Sequence, residues 1–353
     1  MMEMKEDGNR CVNRNSEILF LYDAKLCNPN GDPDDENKPR FDVRTQINLV
    51  SDVRLKRFFR DYIIQEFGEK YIYVGTVEGK KMESDKRGWS LLEQWDGDER
   101  VKGIKKEETD KWAKLIPRLC IDARLFGAAV AVRKREKAKG ASINFTGPVQ
   151  FAWGYSLHPV EMVDSTSITS VFKGRESKEE EEGAVEGYGT IGKDWRLYYS
   201  LIGFYGVVSG LRAQKMGVRD IDLKLMDNFL WDSFLLMTKT RSKITEWPCL
   251  YLRVEYKDSN ILIGDFREYV ECEYTEPIRS FEDLNLNFDA LIDRLNKSIG
   301  NIEAIYLRIS EKMEKRYGLG NKFQVFGDKL KILPHPDVEL QRKELIEKIL
   351  ASA

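Results

Sequence analysis

Ile18-Leu19-Phe20-Leu21-Tyr22, then Asn28-Pro29-Asn30-Gly31-Asp32-Pro33-Asp34-Asp35-Glu36-Asn37-Lys38-Pro39-Arg40, then Ser51-Asp52-Val53-Arg54-Leu55-Lys56-Arg57-Phe58-Phe59-Arg60-Asp61-Tyr62-Ile63-Ile64-Gln65-Glu66-Phe67 is the stretch from which the architecture is read. The first run is continuously apolar and bounded by polar residues, which predicts a buried strand. The second is dense in turn formers and predicts a long loop. Ser51 is a suitable N-cap and Gly68 a suitable C-terminal stop, framing a helix of about four to five turns. At about 100° per residue, Leu55, Phe58, Phe59, Tyr62 and Ile63 share one arc, while Arg54, Lys56, Arg57 and Arg60 take the opposite one. A strand, a long loop and a helix with an apolar back and a basic front open an α+β sandwich.

Outward from this stretch, residues 69–117 are a charged insertion with scattered strand and turn signals, among them Tyr71-Ile72-Tyr73-Val74 and Gly75, Gly79 and Gly88. Ile121 to Val132 resumes the core and runs into Arg133-Lys134-Arg135-Glu136-Lys137-Ala138-Lys139. Strand signals recur at Ile143-Asn144-Phe145 and Gly147-Pro148-Val149-Gln150-Phe151, and residues 159–173 alternate as one arm of a hairpin does. The acidic segment Glu176 to Glu186, with its run Glu179-Glu180-Glu181-Glu182, reads as a solvated loop tip. Trp195 to Val208 and Leu250 to Tyr256 read as strands and Asp220 to Met237 as a helix. Beyond about residue 278 the pattern turns helical, ending in a charged amphipathic helix over Val338 to Leu350. No internal repeat of fixed period is present.

The 353 residues suit about two domains or one decorated domain. With 42% hydrophobic and 33% charged residues the chain builds a core under a charged surface, which excludes a disordered protein. The best membrane candidate, Leu197 to Val208, is short and rich in Tyr and Gly, and Met1 to Arg10 has no apolar stretch, so neither a membrane span nor secretion is expected. Five cysteines without a C-x-x-C pair imply neither a disulfide framework nor a zinc module. The two histidines, His158 and His335, leave little for a His-based metal site or a catalytic triad. The expected location is therefore a reducing cytoplasm, with no cofactor or metal. The 57 basic and 59 acidic residues sum to −2, so local charge distribution decides which partners are attracted.

Gly187-Tyr188-Gly189-Thr190-Ile191-Gly192 fits G-x-G-x-x-G, but an acidic loop precedes it and a strand-like run follows it, so it reads as a hinge at a hairpin base. No G-x-x-x-x-G-K-[ST] phosphate loop is present. The acidic loop with Asp32, Asp34, Asp35, Glu36 and Asp42 fails the EF-hand pattern, which leaves a solvated turn or a carboxylate that positions a metal or water for RNA cleavage. Arg54, Lys56, Arg57 and Arg60 have acids only at the helix margins, Asp52 and Asp61. With the stretches at 133–139 and Lys239-Thr240-Arg241-Ser242-Lys243, they fit a sugar–phosphate backbone as well as they fit a solvated face. The 17 Phe and 15 Tyr supply possible stacking platforms, although most aromatics are core.

One resemblance is specific. Asn15-Ser16-Glu17-Ile18-Leu19-Phe20-Leu21-Tyr22-Asp23-Ala24, Asn28-Pro29-Asn30-Gly31-Asp32-Pro33, Pro39-Arg40-Phe41-Asp42 and Val50-Ser51-Asp52-Val53-Arg54-Leu55-Lys56-Arg57 resemble the backbone subunit of type I CRISPR Cascade complexes. Within the RAMP superfamily the similarity is greatest to the type I-B branch. Asp122-Ala123-Arg124-Leu125-Phe126-Gly127 with Thr146-Gly147-Pro148-Val149-Gln150-Phe151 matches a second family block, and Thr240-Arg241-Ser242-Lys243 a third. The blocks keep family order from residue 15 to about 256; the remainder carries no such motif.

The resemblance implies an α+β fold with an RRM-like (ferredoxin-like) palm, inserted fingers and a thumb β-hairpin. The palm would comprise residues 13–68, 118–158 and 196–275, the finger insertion 69–117, the thumb 159–195 and a mainly helical C-terminal region 276–353. It implies a non-catalytic CRISPR RNA (crRNA)-binding subunit, polymerising along the guide and presenting guide segments to target DNA in the R-loop. The implied partners are copies of itself and the other Cascade subunits: a guide-end cap, large and small subunits and a processing endonuclease. By position, Arg54, Lys56, Arg57 and Arg60 would face the guide backbone, and Asn28, Asn30, Arg40, Arg44 and Gln46 would hold the loop or neighbouring nucleotides. Gly127, Gly147 and Gln150 would lie where palm strands approach the RNA, and Arg241, Ser242 and Lys243 would add phosphate contacts. Met162, Val163 or Phe172 would be the thumb's apolar wedge. The glutamate-rich thumb tip would repel a phosphate backbone and is expected to point to solvent or to a basic patch on a neighbouring subunit.

Two rival readings are enzymes. Backbone subunits of related type III complexes cleave RNA with a loop aspartate, which directs attention to Asp32 and Asp42. An endonuclease that matures CRISPR RNA needs a general acid–base histidine beside a glycine-rich C-terminal loop; His335 has no such loop near it.

Overall fold

The structure, a computed structural model, describes residues 10–75, 83–132, 141–164, 167–169, 191–237, 240–335 and 343–351. Among these, one mixed sheet dominates. Its strands are β1 (Ser16–Cys27), β2 (Phe41–Asp42), β3 (Ile47–Val50), β4 (Val149–Phe151), β5 (Gly154–Ser156), β6 (Leu197–Val208), β7 (Glu246–Tyr256), β8 (Ile302–Ile309) and β9 (Leu330–Ile332). The order is β9-β8-β7-β1-β6-β5-β3-β2, with β4 also pairing to β6. All pairs are antiparallel except β8 with β9.

The apolar run at residues 18–22 forms the centre of β1, between β6 (Phe20 opposite Phe204) and β7 (Leu19 opposite Leu252). Its alternation divides two cores, since successive side chains leave a strand on opposite faces. Ile18, Phe20 and Tyr22 enter one core, Leu19 and Leu21 the other. Both faces are covered, which is why the run is continuous rather than alternating in hydrophobicity.

Helices bearing on the first face include α1 (Asp52–Phe67), α2 (Ser84–Gln94), α3 (Ile121–Phe126) and α4 (Asp220–Leu236). Helix α1 begins and ends where the sequence signals place it. Ser51 Oγ accepts the Arg54 amide at 3.3 Å, and Gly68 takes φ +103°, a backbone conformation that suits glycine. Its apolar arc meets α4, with the Phe58 ring tilted against Phe234 at 4.2 Å and Tyr62 at 5.3 Å from Phe229. Rings of this size, fully buried, contribute about 1.5–3 kcal/mol each.

The second core lies between the sheet and the C-terminal part, including α5 (Asp289–Lys297) with its buried Leu291 and Leu295. Residues 276–353, expected to be mainly helical, carry helices at 289–297, 311–317, 319–323 and 343–351, and between them residues 302–309 and 330–332 extend the sheet as β8 and β9. Strand β8 is covered on both sides: Ile302, Ile305 and Leu307 pack into the second core, while Tyr306 packs toward the first. Such a strand has no period of two to read. Tyr71 to Val74 also departs from its strand signal. The Tyr73 and Val74 amides donate to the Asp122 carboxylate at 2.7 and 3.0 Å, and Arg87 donates to the Ile72 carbonyl at 2.6 Å, so side chains replace ladder partners. Trp112, Leu91 and Trp95 carry the 69–117 insertion into the main core.

The expected hairpin is present at its base, where Ser167 pairs with Lys193 and Thr169 with Ile191. The acidic segment at 176–186, the glycines up to Gly189, the basic stretch 133–139 and Phe172 lie outside the described residues. No helix among the described residues is long and apolar enough to cross a membrane.

His158 fastens the segment entering this hairpin. Its Nδ1–H donates to the Pro159 carbonyl at 2.7 Å, and its Nε2 accepts the Leu201 amide at 3.1 Å. Burial pushes its pKa down to about 4, the Pro159 bond opposing the shift. The folded state therefore disfavours the proton that an unfolded imidazole accepts near pH 6.5. Stability is complete above about pH 6.5 and falls as pH drops towards 4, by about 3 kcal/mol in all and about 2 by pH 5. Urea unfolding at the two ends of this range is expected to show that loss in the native chain and a smaller one in His158→Gln. Equal losses in both would contradict the assignment.

Candidate nucleic-acid interface

The loop after β1 is organised by its own asparagines. The Asn28 amide N–H donates to the Ser242 carbonyl at 2.9 Å, and its Nδ2 to the Asn37 carbonyl at 2.7 Å. Asn30 Oδ1 accepts both the Ser51 amide (2.8 Å) and the Ser51 hydroxyl (2.9 Å), coupling the loop to the N-terminus of α1. Arg40 closes the loop, its amide on the Asn30 carbonyl and its guanidinium on Asp32 at 2.9 Å. Asp42 accepts the Arg44 amide and the Thr45 hydroxyl, bonds that hold its carboxyl below the usual range. Asp32 and Asp42 thus both hold turns. Arg44 and Gln46 are exposed on the second turn, whose Gln46 carbonyl accepts the Val160 amide at 2.8 Å.

The four cations of α1 are not the free basic front expected from the helix periodicity. Lys56 meets Asp52 at 2.8 Å, Arg57 meets Asp61 at 2.6 Å, and Arg60 meets Asp122 at 2.8 Å. Arg54 lies 3.9 Å over the Phe58 ring and the same distance from Glu246. Lys56 and Arg60 are buried, whereas the Arg57 side chain is 44% exposed. Asp122 and Glu246 are far from α1 in sequence, so a helical wheel cannot display them.

What the fold brings together instead is a polar cleft of about 270 Å³ at the hairpin base. It is lined by the loop after β1 (Asn28, Glu36, Asn37), by Lys193, Asp194 and Trp195, and by Thr240, Arg241 and Ser242. Two ammonium groups lie near the Trp195 ring, Lys38 at 5.0 Å and Lys193 at 5.9 Å from its centre. Its indole N–H, and the Oδ1 of the buried Asn28, have no hydrogen-bond partner among the described residues. Beneath them the Lys243 amine donates to the carbonyls of Asn28 and, at 3.1 Å, Pro29. Burial, with the neighbouring Arg54 charge, pushes Lys243 down to about 8, against the pull of Glu246.

Gly127, Gly147 and Gln150 form one backbone crossing. A Cβ on Gly147 would stand 2.3 Å from the Leu125 carbonyl oxygen, and Gly127 has φ +87°. Gln150 Nε2 donates to the carbonyls of Gly147 (2.9 Å) and Phe126 (3.2 Å), so all three residues close the end of α3 against β4. Met162 and Val163 are half-buried on the hairpin base, bridged to Leu197 and bonded to the Arg196 carbonyl.

This geometry can be set beside known proteins. The family model of CRISPR-associated protein Cas7 matches residues 14–289. The chain belongs to the Cas7 family. It is 29% identical over 316 residues to a CRISPR-associated protein Cas7 of Haloferax volcanii, covering 86% of this chain and 89% of that protein. In fold it is similar to a chain of a solved CRISPR RNA-guided surveillance complex in a pre-nicking state. There the TM-score is 0.51 at 13% identity, over 96% of this chain and 100% of that one.

Within this Cas7-family chain, sequence reasoning located Asn28, Arg241 and Ser242 but missed their cleft partners Glu36, Lys38, Lys193, Asp194 and Trp195. Lys193 and Glu36 meet at 2.8 Å across 157 positions of chain, and no local pattern signals such a pairing. The one available hint was a mixed-charge run around a tryptophan at the foot of a hairpin.

Proposed function

We propose that this chain is the non-catalytic, crRNA-binding backbone subunit of a type I Cascade complex, of the type I-B branch. Its copies stack head to tail along one guide in the cytoplasm, beside the guide-end cap, the large and small subunits and the processing endonuclease. The palm, of the RNA-recognition-motif type, comprises residues 13–68, 118–158 and 196–275, with fingers at 69–117 and the thumb at 159–195. Arg57, Arg241, Ser242, Lys193, Arg44 and Gln46 meet phosphate and ribose. Asn28, Asn30, Arg40, Gly127, Gly147 and Gln150 shape the surface that presents them, and Met162 or Val163 wedges the guide.

Membership of the Cas7 family across residues 14–289 carries this reading. Physics gives it sense: a subunit that grips phosphates and ignores bases accepts any guide, so sequence reading passes to pairing with target DNA. Purified alone at moderate salt, the chain is expected to elute as a large species carrying RNA of mixed sequence, reduced to protein-sized material by ribonuclease. A chain that neither retains RNA nor binds added CRISPR RNA would contradict it.

A further inference from the structure

The cations of the cleft are already occupied. Asp194 Oδ2 accepts from Arg196 Nε and from Arg241 Nη1, each at 2.8 Å. Arg196 is held independently by the Leu26 carbonyl at 2.7 Å. In the same cleft both Glu36 oxygens accept from Lys193 at 2.8 Å. One carboxylate oxygen receiving two guanidinium donors is the arrangement a phosphate oxygen takes between paired arginines. Arg241 is 63% exposed and Asp194 only 14%, so the carboxylate lies at the base of a reach that the guanidinium extends to solvent.

We propose that Asp194 and Glu36 are internal competitors for RNA: they hold the cleft cations in ion pairs that guide phosphates displace on loading. The inference rests on the reading of this cleft as an RNA interface. Intramolecular carboxylates set a threshold. A single stray phosphate must expel a partner that is already in place, and the carboxylates repel any nucleic acid not engaged along its length. A guide bound by many stacked copies passes that threshold, whereas casual RNA on one copy does not.

The test measures binding of a fluorescein-labelled single-stranded RNA of mixed sequence to the full chain across a salt series, with thermal melts of every variant. Asp194→Asn keeps the size and removes the charge. It is expected to bind roughly five- to tenfold tighter near physiological salt, as two ion pairs of modest strength are released. Its salt dependence should steepen by about 0.7–1.4, one or two further phosphates being neutralised. Glu36→Gln, at an exposed position, is expected to gain about twofold. Asp194→Asn combined with Arg241→Ala returns to the native affinity or below it. Unchanged or weaker binding by Asp194→Asn at an unchanged melting temperature, with no gain in Glu36→Gln, overturns the proposal and makes Asp194 a positioning residue for its arginines. If Arg241→Ala also binds as the native chain does, the cleft is not an RNA interface, and the functional reading of the site falls with the proposal.

Discussion

Arg60→Ala lowers the unfolding free energy by about 3 kcal/mol while leaving the RNA affinity of the folded chain within a factor of about two. The guanidinium is buried and bonded to Asp122, which also accepts the Tyr73 and Val74 amides. Removing it leaves a buried carboxylate with backbone partners and no counter-charge, which places the cost at the lower end of the range for a broken buried pair. Urea denaturation and RNA titration on the same preparation separate the two effects. An unchanged unfolding curve with RNA binding lost would mean that Arg60 turns outward to the guide.

Joint replacement of Arg57, Lys193 and Arg241 by alanine has the opposite signature. All three are exposed and their ion pairs are weak, so stability changes by about 1 kcal/mol or less. Loss of three phosphate contacts reduces the salt slope for single-stranded RNA by about 2. Affinity is expected to fall roughly ten- to a hundredfold, and equally for RNAs of different sequence, because phosphate contacts carry no base information. A sequence-dependent loss, or none, would contradict the assignment of these cations to a sugar–phosphate backbone.

The architecture was legible where local signals were strong. The run at 18–22, the Ser51 cap, the Gly68 stop and the apolar arc of α1 depend on neighbours within a few residues. Alternation marked residues 159–173 as one arm of a hairpin and the resemblance carried it to residue 195, while the pairing of Ser167 with Lys193 is visible only in the fold. Strand β8 was misread because burial on both faces erases the period of two. The site was legible in its residue types but not in their states. Arg60 and Lys56 share an arc with Arg57, yet partners such as Asp122 turn two of the three into structure. Lys193 and Trp195 belong to the site only because the chain returns to the loop after β1, and no spacing rule records such a return.

The measurement that addresses the account most directly is photocrosslinking of the chain to a thiouridine-substituted CRISPR RNA, with the attached peptides read by mass spectrometry. The account predicts crosslinks in the cleft peptides that contain Trp195 and the 240–243 loop, and in the turn bearing Arg44 and Gln46, whatever the guide sequence. Crosslinks confined to the surface around Trp89 and Ile104, or to the α5 face, with the cleft peptides unmodified, would contradict it.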